Sequence, residues 1–136
     1  MKASELITSS ISALTGLDLD IHANTLNPVF LERLPAVFVY VNSQQGNNLG
    51  NGRPGSSTTH QRNTALTFEV FTTEYERAQG LDICQDIRDT LFSSDAWKEE
   101  ALEISSWTED QTYIREAEKP LIATTLVINI LTMDRY

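Results

Sequence analysis

Apolar residues near the start of the chain recur at helical spacing and then change to alternation. The helical stripe consists of Ala3, Ile7, Ile11 and Leu14. This spacing predicts an amphipathic helix over residues 3–15 that ends before Gly16. Apolar and polar residues then alternate over residues 17–22, which predicts a short, half-buried strand with His22 on its polar face.

Three later segments have the pattern of strands buried in a sheet. Residues 34–41 are apolar on both faces and rich in β-branched and aromatic side chains. Residues 64–71 alternate, so residues 36–41 and 65–71 are predicted to form an antiparallel hairpin. Residues 120–133 are largely apolar on both faces, which predicts a strand in the centre of the sheet.

Between the last two of these strands, residues 75–92 return to helical spacing. Their apolar stripe consists of Ala78, Leu81, Cys84, Ile87 and Leu91. Cys84, the single cysteine, falls on this stripe and is predicted to be a small core residue. A short strand is predicted at 102–104, and the mostly polar residues 108–119 give no element.

The segment 42–63 separates the two strands of the predicted hairpin. It holds four of the six glycines, and its one sizeable apolar side chain is Leu49. Such a segment buries too little surface to offset its ordering entropy, so a long flexible loop is predicted. The chain is therefore expected to form one α+β domain over residues 1–136, a mostly antiparallel sheet packed by two helices with this loop between two central strands.

Gly50, Gly52 and Gly55 within this loop spell GxGxxG. A nucleotide-binding glycine loop needs a strand running directly into it and a helix opening from it. Neither flanks this segment, so no cofactor site is predicted here.

The net charge of the chain bears on which classes of binding partner we expect. Ten Lys and Arg oppose nineteen Asp and Glu, for a net charge of -9. An acidic surface repels phosphate backbones, so nucleic-acid recognition is not expected. No segment approaches the roughly 20 apolar residues of a membrane helix, and the N-terminus lacks a signal-peptide core, so no membrane partner is expected and the cytoplasm is the expected compartment.

Catalytic chemistry has few candidates in this sequence. The adjacent acids are Asp18 with Asp20, Glu99 with Glu100, and Glu109 with Asp110. Each pair is more typical of a solvated surface than of an active site. His22 has no evident partner, and no residues have metal-ligand spacing. No catalytic, metal or cofactor residue is predicted, and the chain is not expected to be an enzyme.

Four aromatic residues lie outside the best core strands: Trp97, Trp107, Tyr113 and Tyr136. Such residues are favoured as anchors in protein interfaces, but they also cap the edges of sheets. The sequence leaves both interpretations open.

The segments Leu34–Val41, Ala65–Phe71 and Thr125–Leu131, with the first helix and the acidic helix at 75–92, are similar to one known family. Together they resemble the minor tail protein U family, the tail terminators of long-tailed phages of the lambda type. The aromatic-basic stretch Tyr113-Ile114-Arg115 before the last strand adds to the resemblance, which spans nearly the whole chain.

The resemblance implies a structural role in the virion tail, with assembly in the host cytoplasm. Members of the family form a homohexameric ring that caps the tail tube, stops its polymerisation and offers a surface to the head–tail connector protein. Arg53 and Arg62, in a loop without acids, are predicted to reach a neighbouring subunit or the tube protein. The alternatives are another tail or secretion-system tube or connector subunit, or a small-ligand module or enzyme.

Overall fold

The described strands form one sheet, and the helices pack against it. The computed structural model describes residues 2–23, 34–48, 59–101, 103–114 and 120–135. In chain order the elements are α1 (Ala3–Ala13), a short 3-10 turn (Thr15–Leu17), β1 (Ile21–Ala23), β2 (Ala36–Asn48), β3 (Thr59–Thr73), α2 (Arg77–Ser93), α3 (Asp95–Ala101), β4 (Glu103–Ile114) and β5 (Leu121–Arg135).

The five strands lie in the order β1-β2-β3-β5-β4. β1 runs parallel to β2, and every other neighbouring pair is antiparallel. This arrangement confirms the predicted α+β class. It also confirms two details, because β2 and β3 form the predicted hairpin and β5 lies inside the sheet between β3 and β4.

One face of the sheet forms the main core with the helices. From the sheet it receives Val37, Val39, Leu66, Phe68, Val70, Leu126, Ile128 and Ile130, and from the helices Leu6, Ile7, Ile83, Cys84, Ile87, Leu91 and Trp97. Alternation in each strand sends these side chains to the same face, where burial of apolar area stabilises the fold. Cys84 is fully buried, which confirms its predicted place in the core.

Gly80 allows α2 to approach the sheet closely. A Cβ at this position would lie 2.3 Å from the Oγ1 atom of Thr124 on β5. A side chain at position 80 would therefore push the helix away from the sheet. Close packing against Thr124 therefore explains why a glycine lies inside α2.

The predicted loop at 42–63 is wrong at both of its ends. Residues 42–48 belong to β2 and residues 59–63 belong to β3, while the middle of the predicted loop lies outside the described residues. Gln44 pairs with Thr64 and Gln45 with Asn63. Polar side chains are compatible with a strand whose backbone is paired by a neighbour, so tertiary context overrides composition here.

Three further boundaries differ from the prediction. The strand expected at 17–22 lies instead at Ile21–Ala23, because Asp18 adopts a left-handed backbone conformation with φ of 52°. A third helix, α3, follows α2 at once, where two helices were predicted. β4 extends to Ile114, well beyond the predicted strand at 102–104.

None of the described helices has the length and apolar character needed to cross a membrane.

Candidate assembly surfaces

The β4 side of the sheet is an open strand edge. β4 pairs with β5 on one side, and no described strand pairs with its other side. The strand carries Glu103, Glu109 and Asp110 and has no Lys or Arg. Unpaired backbone N–H and C=O groups along such an edge can accept a strand from another chain.

The described residues include four large exposed apolar side chains, and two of them, Trp107 and Tyr113, lie on β4. Among the described residues they are Tyr75, Leu81, Trp107 and Tyr113, of which Trp107 is 44% exposed and Tyr113 41% exposed. Leu81 lies on α2, and Tyr75 lies in the turn before α2. We call the surface formed by Arg88 of α2 with Trp107 and Tyr113 of β4 the α2–β4 seam.

Trp107 is held in position although it is exposed. The guanidinium carbon of Arg88 lies 3.9 Å from the centre of the Trp107 ring. Arg88 is also ion-paired with Glu109, and both charged side chains are mostly buried. Alternation puts Trp107 and Glu109 on the same face of β4, so one arginine from α2 fixes both. An aromatic surface that is already ordered loses little entropy when a partner binds.

The other end of the seam is fixed by polar contacts. The Tyr113 hydroxyl donates a hydrogen bond to Glu74 Oε2 at 2.8 Å. The Gln111 amide donates to the backbone oxygen of Arg77 at 2.8 Å and to Thr124 Oγ1 at 3.1 Å. β4 is therefore tied to the start of α2, which keeps the seam rigid.

The opposite side of the sheet has a second open edge of different chemistry. β1 pairs with β2 only at Val37, Phe38 and Val39. The rest of β2, Tyr40–Asn48, projects past β1, and we call it the β2 overhang. It carries no charged residue, and no described strand pairs with its outer edge.

Arg62 lies next to this overhang. It pairs with Gly46 across the β2–β3 ladder. Its side chain is half-buried, and its Nε donates to Thr132 Oγ1 at 3.3 Å. Arg62 is thus the one described cation beside the overhang, and it belongs to an extended hairpin rather than to the predicted loop. Arg53, the other predicted site residue, lies outside the described residues.

Two of the candidate acid pairs can be described in the structure, whereas the Glu100 side chain of the third lies outside the described residues. Glu109 and Asp110 are successive strand residues, so they point to opposite faces of the sheet. Asp20 instead pairs with His22 at 3.2 Å, and the His22 ring stacks on Phe38. The described residues contain no group of three or more His, Cys, Asp or Glu arranged to hold a metal ion.

Two further polar features lie in the sheet and α2. Tyr40 donates a hydrogen bond to Glu69 on the face away from the helices, and burial together with this carboxylate raises the pKa of the tyrosine. On α2, burial and the nearby Glu109 carboxylate raise the pKa of the Cys84 thiol to about 12, although Arg88 acts in the opposite direction. Cys84 is therefore a protonated core residue near neutral pH.

The aromatic residues flagged by the sequence divide between core and surface. Trp97 is a core residue, whereas Trp107 and Tyr113 are exposed on the seam, and Tyr136 lies outside the described residues. Sequence reasoning missed the contribution of Arg88, because it comes from a helix far from β4 in the chain. No protein-family model and no curated protein matches this chain.

Proposed function

We propose that this protein is a structural tail-assembly subunit that works as a tail terminator, forming a ring that caps the tail tube. The observation that carries the proposal is the pair of unlike open edges: an acidic edge at β4 with an ordered aromatic seam beside it, and a neutral edge at the β2 overhang. Two different surfaces on one chain suit a head-to-tail contact between identical copies.

The chemistry of the seam supports a protein partner. Trp, Tyr and Arg are the residues most enriched at the energetic centres of protein interfaces, and all three are present in Arg88, Trp107 and Tyr113. The ring would then stop tube polymerisation on one side and present the other to the head–tail connector.

Solution mass is the first test of this proposal. Light scattering across concentration and salt is expected to give a discrete species of about 92 kDa, six copies of the 15.3 kDa chain, and negative-stain images are expected to show closed rings. Added tail tubes should stop elongating. A strict monomer that does not bind tube ends would overturn the proposal.

Charge reversal tests the two predicted arginines. Arg53→Glu with Arg62→Glu is expected to weaken ring formation or tube capping, because two cations predicted to reach a neighbouring subunit or the tube protein would become acids. The matched control is Lys2→Glu with Lys98→Glu, which changes the net charge equally at two exposed positions on or beside helices. Equal behaviour of the two double variants would remove Arg53 and Arg62 from the interface.

The same two edges favour one alternative, a tube or connector subunit. Head-to-tail contacts that do not close after one turn build an open helix instead of a ring. Open tubes of variable length from the purified chain would favour this function over the terminator.

A further inference from the structure

Strand directions decide how the two open edges can meet. β2 runs in one direction along the sheet and β4 runs in the opposite direction. Copies around a ring keep the same orientation. The β4 edge of one copy therefore faces the β2 overhang of the next in antiparallel sense, with the helix layers on the same side. Antiparallel pairing is the more stable arrangement of two strands.

β1 limits the register in which the two edges can pair. It occupies the outer edge of β2 from Val37 to Val39, so an added strand has to end beside Tyr40. β4 ends at Ile114. Tyr40 and Ile114 both point away from the helices, because their neighbours in the ladders, Thr67 and Leu121, do so. The ladder between β2 and β3 has a bulge between Val41 and Ser43, which leaves Asn42 as an extra residue. Placing Tyr40 opposite Ile114 therefore uses the whole overhang, and the side chains on either side of the bulge keep their own faces.

This register brings together side chains that suit each other. Val41 falls opposite Tyr113 on the helix side, an aromatic and β-branched pair of the kind that stabilises antiparallel strands. Further along, the neutral amides of the overhang meet the part of β4 that carries Glu109 and Asp110. Arg62 lies beside Gly46 on β3, and its Nε donates to Thr132 on β5, away from the outer edge of the overhang, so the strand pairing does not depend on it.

The alternative of pairing two β4 edges is electrostatically unfavourable. It would bring two copies of Glu103 and Asp110 together, with no Lys or Arg on either strand, while Glu109 is already paired with Arg88. Like charges across a strand pair are destabilising. The neutral overhang avoids this repulsion.

We propose that the β2 overhang of one copy pairs antiparallel with residues 107–114 of β4 in the next copy, with Tyr40 opposite Ile114. This inference rests on the proposed ring. It names the two surfaces that close the ring and the register between them.

A disulfide trap tests the register. Ser43 and Thr112 are both exposed and lie on the same face of the sheet. They fall opposite each other in the proposed contact because the bulge of β2 between Val41 and Ser43 leaves Asn42 without an opposite residue. Within one chain β3 and β5 separate them, at a distance of roughly 20–25 Å, far beyond the reach of a disulfide. The variant Ser43→Cys/Thr112→Cys is expected to give a ladder of cross-linked chains under mild oxidation, ending at the mass of the ring. Cys84 is fully buried and does not compete.

The matched control is Ser43→Cys/Thr108→Cys. Thr108 is an exposed threonine on the same strand and the same face, four residues from Thr112, so its Cα lies roughly 13 Å away. It is expected to give little ladder. A mixture of the two single variants Ser43→Cys and Thr112→Cys is expected to give only a two-chain product.

The outcomes separate this inference from the proposed function. A ring by light scattering with a ladder specific to Ser43 and Thr112 supports both. A ring without that ladder, or with an equal ladder from the control, overturns the strand pairing and leaves the terminator proposal standing. A monomer at every concentration overturns both.

Discussion

The two tryptophans occupy opposite situations in the same fold. Trp97 on α3 is 1% exposed, its indole N–H donates to Ser10 Oγ at 2.9 Å, and its ring stacks on Phe92. Trp107 on β4 is 44% exposed and lies under Arg88. One residue closes the space between helices, and the other forms part of an open edge.

The two tryptophans contribute free energy to different processes, Trp97 to folding and Trp107 to the proposed association. The surroundings of Trp97 come from α1, the end of α2 and α3, so its contacts stabilise the folded chain. Trp107 contacts one arginine and leaves much of its ring in water. If the β4 edge is an assembly surface, the remaining apolar area of Trp107 contributes only when a second copy binds.

The largest expected effect comes from truncating the buried tryptophan. Trp97→Ala should lower the free energy of unfolding by about 3–5 kcal/mol, because it removes a large core side chain and leaves a cavity. Urea unfolding followed by circular dichroism measures this. Trp107→Ala is the matched control and should cost under about 1 kcal/mol, as expected for a surface substitution. Equal losses in the two variants would contradict the assignment of Trp107 to a surface.

The reverse ranking is expected for association. Trp107→Ala should weaken self-association by about 2 kcal/mol, close to a 30-fold change in the dissociation constant, because it removes an aromatic anchor. Analytical ultracentrifugation over a dilution series measures the constant. Gln85→Ala, an exposed change on α2, is the control and should leave it unchanged. An unaltered constant for Trp107→Ala would exclude the seam from the interface.

Features that depend on one element were readable from the sequence. The alternation of Leu66, Phe68 and Val70 predicted the buried face of β3, and the helical stripe predicted Cys84 in the core. The two apolar faces of residues 120–133 predicted an interior strand, and β5 is one. Each of these signals is a local periodicity imposed by burial.

Features that depend on contacts between different elements could not be predicted from the sequence. The β2 overhang consists of polar residues, and its pairing with β3 gives no periodic apolar signal. The seam requires Arg88 of α2 to reach Trp107 and Glu109 of β4, about twenty residues further along the chain. Arg62 was predicted to lie in a loop. It lies in β3 instead, because pairing with the neighbouring strands extends the hairpin past its apolar part.

Loss of the hydrogen bond between Trp97 and Ser10 is expected to have a smaller effect on stability. Ser10 Oγ accepts the Trp97 indole N–H and donates to the backbone oxygen of Leu6 at 2.7 Å. Ser10→Ala should lower stability by about 1–3 kcal/mol, because a buried N–H donor would lose its acceptor. Ser12→Ala, on the exposed side of the same helix, should change little. Thermal and urea unfolding compare the two, and equal effects would show that the indole finds another acceptor.

The last prediction concerns the effect of the Cys84 thiol on the pH dependence of stability. Its thiol is buried in the core, and the Glu109 and Arg88 charges of the seam act on it in opposite directions. The folded-state pKa is raised from 9.0 to about 12. Above pH 9 the unfolded thiol ionises while the folded thiol stays protonated, so the unfolded state releases protons and stability falls as pH rises toward 12.

Between pH 8 and pH 10.5 the contribution of Cys84 to stability should fall by about 1–2 kcal/mol, since each unit of pKa difference is worth about 1.4 kcal/mol. Cys84→Ala removes this contribution, so its stability should depend less steeply on pH. Tyr40, whose pKa is also raised, acts equally in both proteins. Urea unfolding at both pH values gives the two slopes. Identical slopes would mean that the folded thiol ionises as readily as the unfolded one, and that water reaches the core beneath the seam.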